Sequence, residues 1–171
     1  MQLDFTWVYP IHPLAVFQMA TRLDHLDEKA RHLGHERHAV KELRERDGVF
    51  RSVTERQVDT KIPWWAEKLR FKPRNMITQT QLWEPPAWDG SRHYETRVEV
   101  SRVPVSITGW GRLTPVDITS TRYEIHLDIT SSIPLIGRKI VNVVAGAFEE
   151  NVDAEHEFRL LWLGRTGNFT R

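Results

Sequence analysis

Apolar residues recur at helical spacing through one long stretch near the end of the chain. Between Ile133 and Leu163, the positions Ile136, Ile140, Val143, Ala147, Ala154, Phe158 and Leu161 fall at steps of three, four or seven. That is one stripe of a single helix at 100° per residue. Val141, Val144, Phe148 and Val152 widen the stripe into a broad arc. Pro134 near the start and Gly164 just past Leu163 are the expected punctuation. At 1.5 Å per residue such a helix spans roughly 45 Å, far beyond the mean of soluble domains. It needs a broad surface to lie on.

The upstream chain alternates with period two and supplies that surface. Leu3, Phe5, Trp7 and Tyr9 alternate with Gln2, Asp4 and Thr6, a half-buried first strand ended by Pro10 and Pro13. Two short helices follow, Leu14–Arg22 and Leu23–Leu33, the second closed by Gly34. Strands over His35–Arg46 and Val49–Thr60 join through Asp47-Gly48, a strong hairpin signal. Both are unusually polar, and neither has a clean apolar face. Lys61–Arg74 reads as a helical turn framed by Pro63 and Pro73, and Met76–Trp83 as the next strand, turning over Glu84–Gly90.

Three clearer strands complete the set. Tyr94, Thr96, Val98 and Val100 form one inner face; Val105, Ile107, Gly109, Gly111 and Leu113 form the next. Tyr123, Ile125, Leu127 and Ile129 alternate with Arg122, Glu124, His126 and Asp128. Without a repeat, linker or low-complexity block, the pattern predicts one domain over residues 1–164 and a flexible tail at 165–171. Successive strands with short turns predict an α+β fold: a curved antiparallel sheet of about seven strands around the long C-terminal helix, with two short helices after strand one.

This order, with GWGRLTP and SIPLIGRKI ahead of the last helix, resembles the START-like, helix-grip (SRPBCC) superfamily. That superfamily includes lipid-transfer domains, the birch-pollen allergen and polyketide cyclases. VTERQVDTKIP and TQTQLWEPPAWDG, together with the same two segments, resemble a bacterial family of unknown function within it. The resemblance covers nearly the whole chain. It implies a cavity between sheet and long helix that holds an apolar or amphipathic ligand.

Composition narrows the functional classes. The 171 residues are 40% apolar and 27% charged, with a net charge of +1. Basic and acidic residues are interleaved throughout, so no field favours nucleic acid. The absence of cysteine excludes disulfides, thiolate catalysis and the usual structural zinc sites. No apolar run approaches the roughly 20 residues of a membrane span. Met1 leads directly into the first strand without a basic-then-apolar leader, so the expectation is a cytoplasmic monomer or homodimer.

Several residues stand out as candidates for chemistry. Asn151 and Glu155 lie one turn apart within the apolar arc of the long helix, with Arg159 at its edge. Arg138, Asn142, Glu149, Asp153 and His156 mark the outer face. Either the inner polar group orients a ligand, or this half of the helix overhangs the sheet and is solvated. Gly109 and Gly111 suit a sheet that must curve. In Lys61–Arg74, the residues Trp64, Trp65, Leu69 and Phe71 are mixed with basic ones. That composition fits a lid over a cavity, a membrane interface or a packed cover. His32, His35 and His38 are evenly spaced, but Gly34 breaks the first pair and strand geometry separates the second, so no metal or other cofactor is expected. No nucleophile elbow, phosphate loop or dinucleotide fingerprint occurs.

The reading that follows is a binder of a small apolar or amphipathic ligand, without covalent chemistry. Its candidate residues are Trp64, Trp65, Leu69, Phe71, Tyr94, Val98, Ile107, Gly109, Tyr123, Phe148, Asn151 and Glu155. One alternative is a cyclase- or hydratase-like enzyme with Glu155, its pKa raised by burial, as general acid or base. Another is a structural or partner-binding protein whose cavity is filled by its own side chains.

Overall fold

The computed structural model of the chain describes residues 1–59 and 74–166. The first strand, β1 (Gln2–Tyr9), is followed by helices α1 (Pro13–Thr21) and α2 (Leu23–His32). Six further strands follow: β2 (His38–Arg46), β3 (Val49–Asp59), β4 (Arg74–Trp83), β5 (Arg92–Val100), β6 (Val105–Pro115) and β7 (Thr121–Ser131). The long helix α3 (Gly137–Thr166) closes the chain. All seven strands form one sheet in the order β1-β7-β6-β5-β4-β3-β2, every pair antiparallel. The expected α+β helix-grip architecture is therefore present: a curved sheet with α3 against its inner face.

Local chemistry explains most boundaries. His12 caps α1 through its Nδ1, which accepts from the Leu14 amide at 3.2 Å, and Pro13 fills the first helical position. Helix α2 ends in a Schellman motif: the Gly34 amide donates to the Arg31 carbonyl and the His35 amide to that of Ala30. Gly34 takes the left-handed conformation (φ 69°) that the motif requires. Because His35 belongs to this cap, β2 starts three residues later than the pattern suggests. Asp47 and Gly48 both have positive φ, the turn that matches strand twist in a two-residue hairpin.

The long helix departs from expectation at both ends and in its rotation. It begins at Gly137 rather than Ile133, because Leu135 is left-handed (φ 65°) and Pro134–Ile136 form a separate turn. It continues through Gly164, where a glycine in helical conformation costs only about 1 kcal/mol, and Arg165 reaches Glu28 of α2 at 3.1 Å. The buried line passes through Val141, Ala145, Phe148, Glu155, Phe158, Arg159 and Trp162. Ala147 and Leu161 are exposed and Val143 only half-buried. Apolarity alone placed the stripe roughly one position too far round; the paired charges of Glu155 and Arg159 turn the helix inward.

Beneath α3 the inward rows of the sheet run across the strands. One row reads Thr54, Gln79, Val98, Ile107, Ile129; the next reads Ser52, Gln81, Thr96, Gly109, Leu127. Added Cβ atoms at Gly109 and Gly111 would overlap the His126 carbonyl and the Tyr94 ring respectively. Both glycines therefore serve close approach within the sheet.

Candidate functional site

A pocket of about 70 Å³ lies where the inner faces of β3, β4, β5 and β7 meet α2 and α3. Strand alternation aims Ser52, Thr54 and Arg56 into it from β3, and Gln79 and Gln81 from β4. Helix α2 adds His25 and Lys29, four residues apart on one face. Tyr94, Val98, Tyr123, Phe148 and Val152 complete much of the apolar wall. The expected apolar cavity is thus apolar on one side only; its other side is polar and charged.

Glu155 is the centre of the charged side. It is 9% exposed, so it is not on a solvated overhang. Its Oε2 accepts from Lys29 Nζ at 3.1 Å and from Arg159 Nη2 at 3.0 Å, and its Oε1 from Asn151 Nδ2 at 3.1 Å. Burial alone would raise its pKa, but Lys29, Arg159 and Arg56 outweigh that and hold it well below the usual carboxylate range. A carboxylate held ionised on three donors is a poor general acid, which corrects the expectation of a raised Glu155 pKa. Arg159, 7% exposed, lies 5.4 Å from the centre of the Tyr123 ring. Despite burial it is held firmly charged by Tyr9, Tyr123 and Glu155. Burial depresses the Lys29 pKa, opposed by Glu155.

Charges in the pocket do not balance. Among the described residues, Lys29, Arg56 and Arg159 face one carboxylate. Arg56 is 5% exposed; its Nη1 donates to Gln79 Oε1 at 3.0 Å, and its Nε has no hydrogen-bond partner among the described residues. His25, 1% exposed, has both ring nitrogens unpartnered among the described residues. Burial, reinforced by Lys29 and Arg159, pushes it down to about 3, so it is neutral at pH 7. Above the cluster the hydroxyls of Tyr94 and Tyr123 share a hydrogen bond of 2.7 Å. Burial and the neighbouring Tyr123 raise Tyr94 well above the ordinary phenol value.

Of the residues singled out in the sequence, Tyr94, Val98, Tyr123, Phe148, Asn151 and Glu155 meet in this pocket. Ile107 is core on the inner face of β6, and Gly109 lies opposite Leu127; neither lines it. Trp64, Trp65, Leu69 and Phe71 lie outside the described residues. His156 is not on an outer face: its Nδ1 meets the Tyr9 hydroxyl at 2.8 Å and its ring stacks on Trp7. His25, Lys29, Arg56, Gln79 and Gln81 were missed. For Arg56 the signal is the polarity of β3 at positions 52, 54 and 56, one face of a strand.

Among the described residues no helix is long and apolar enough to cross a membrane. Residues 4–163 match the sequence profile of a family described as a protein of unknown function (DUF2505). No curated protein matches the sequence. The fold is shared with several solved structures. The Zhui aromatase/cyclase from a Streptomyces strain has a TM-score of 0.64 at 15% identity, covering 99% of this chain and 96% of that one. A START superfamily protein from Mycobacterium smegmatis has a TM-score of 0.59 at 12% identity, covering 94% and 98%. The lipid transfer and protein localization domain of human StarD13 has a TM-score of 0.54 at 13% identity, covering 90% and 72%.

Proposed function

The chain belongs to the DUF2505 family of proteins of unknown function, and from that premise we propose that it binds a small amphipathic molecule between the sheet and α3. The polar end of that molecule meets the Lys29–Arg56–Glu155–Arg159 cluster, and its apolar part lies against Val98, Leu127 and Phe148. The observation that carries this reading is a buried charged cluster facing a pocket inside an otherwise apolar core. Buried charge is costly, and packing alone would replace it with apolar side chains at no loss of stability. Two of the structural neighbours, an aromatase/cyclase and a lipid transfer domain, agree with a ligand-holding use of the fold.

The pocket volume, about 70 Å³, suits a headgroup rather than a whole ligand, since ligand sites usually enclose roughly 300–1,000 Å³. Binding must therefore widen it. Residues 60–73 connect β3 and β4, the strands that supply the polar wall. The lid role of Trp64, Trp65, Leu69 and Phe71 belongs to this proposal. Titration of a fluorescent fatty acid into wild type and into Thr54→Phe, which fills the pocket from β3, tests it. Saturable binding to wild type and at least tenfold weaker binding to a folded Thr54→Phe is expected. Equal binding to both would move the ligand elsewhere, and none to wild type would remove the function.

A further inference from the structure

Arg56 narrows the chemistry of the ligand, on the premise of the binding reading above. Among the described residues no carboxylate lies within ion-pair reach of its guanidinium, although it is 5% exposed. Glu155 is the acid that acts on it from a distance, but both Glu155 oxygens are already taken by Asn151, Lys29 and Arg159. The Arg56 Nε and the Arg159 Nη1 are both buried donors without partners among the described residues, and both side chains line the pocket. Such donors are costly to enclose unless something accepts from them.

We propose that the polar end of the pocket is an anion site in which Arg56, assisted by Arg159 Nη1, receives the carboxylate or phosphate headgroup of the amphipathic ligand. A guanidinium presents a planar fork of donors that matches either group, which a neutral headgroup cannot exploit. The excess of cations over carboxylates supplies the matching field. The Tyr94–Tyr123 hydroxyl pair offers a further donor at the same wall. At about 70 Å³, the pocket is roughly half the size of an engineered cavity that admits benzene. It accommodates such a headgroup while the tail remains on the apolar wall.

The test compares dodecanoate, dodecyl phosphate and dodecanol by calorimetry, below their aggregation concentrations, on wild type, Arg56→Gln and Arg56→Lys. Inorganic phosphate is added in a parallel thermal-shift series. At least one anion is expected to bind wild type tenfold or more tightly than dodecanol, and the tighter of the two identifies the headgroup. That preference should fall to within twofold in Arg56→Gln and be partly kept in Arg56→Lys. Dodecanol binding as well as both anions to wild type overturns the anion site and leaves the amphiphile reading standing. A preference retained in Arg56→Gln overturns the assignment to Arg56. If no amphiphile binds, yet phosphate stabilises wild type and not Arg56→Gln, the anion site stands and the amphiphile reading falls. If nothing binds, both fall and Arg56 is merely hydrated.

Discussion

The two ends of the sheet share one geometry and carry opposite chemistry. On β5, β6 and β7 one inward row carries Val98, Ile107 and Ile129 and the next ends in Leu127, all closed to solvent. The same rows continue onto β3 and β4 as Thr54 and Gln79, and as Ser52 and Gln81. Alternation aims both sets inward, so the polar half is not a surface that happens to be polar. The apolar half is held by non-directional burial, each large side chain contributing about 1.5–3 kcal/mol. The polar half faces a pocket, and its groups contribute only where they find partners. Helix α3 buries only apolar residues in its first half, Val141, Ala145 and Phe148 among them, and adds Glu155 and Arg159 to Phe158 and Trp162 in its second.

The largest expected effect tests whether the polar half is nonetheless structural. Glu155→Ala leaves Lys29 and Arg159 buried without their carboxylate, which costs about 3–5 kcal/mol. In the apolar half, Ile129→Ala removes a fully buried side chain at a cost of about 2–5 kcal/mol. Urea unfolding at pH 7 should show both losses. Adding Lys29→Met to Glu155→Ala should recover part of the first and none of the second. A loss under 1 kcal/mol for Glu155→Ala would mean that its cluster is solvated.

Acid sharpens the same contrast, since the apolar half has nothing to titrate. His25 is held down to about 3 in the folded state, by burial first and then by Lys29 and Arg159. Below its ordinary value of about 6.5 the unfolded chain takes up a proton that the folded chain refuses, so stability falls as pH drops from 6.5 towards 3. By pH 5.5 the loss from His25 alone is about 1.4 kcal/mol. Glu155, also depressed, contributes stability that is present above about 4.5 and lost only as pH falls below that. His25→Phe keeps a ring against Phe158 and Trp162 and should reduce the slope between pH 7 and 5, the remainder coming from His35, which burial and then Arg56 pull down to about 4. An unchanged slope would place His25 in contact with water.

A smaller effect belongs at the boundary between the halves. Tyr94→Phe removes one partner of the 2.7 Å bond to Tyr123 and leaves a buried hydroxyl unpaired. The expected cost is about 1–3 kcal/mol by thermal unfolding. If the variant is as stable as wild type, the Tyr123 hydroxyl has found another partner in the pocket.

These regions were unequally legible in the sequence. Alternation at Tyr123–Ile129 and the Asp47-Gly48 turn reported their geometry directly, because each is a local rule that burial reinforces. The rotation of α3 was not legible, because the donors that let Glu155 be buried include Lys29, a residue 126 positions away. The polarity of Ser52, Thr54 and Arg56 was visible but looked like noise: a strand normally marks its inner face with apolar residues, and a pocket inverts that code. Lys29 gave less warning still. On α2 it looks like any cation in the last turn of a helix.

The smallest expected effect is the sharpest test of the two halves, because it uses one row of the sheet. Thr54 and Ile129 stand in the same inward row, four strands apart. Ile129→Thr puts a hydroxyl in a fully closed apolar site, losing contacts and leaving a polar group to desolvate. Thr54→Val makes the reverse change with nearly the same shape, in a half-buried residue that lines the pocket. If the pocket is open to water, the hydroxyl of Thr54 is solvated in the folded and unfolded chains alike. Its removal then changes stability by no more than about 0.5 kcal/mol. If the polar half were closed core, Val would remove a buried hydroxyl and stabilise by roughly 1 kcal/mol or more. Urea midpoints of the two variants against wild type decide it. A clear gain for Thr54→Val would mean that the division between the halves lies in composition alone, with no pocket behind it.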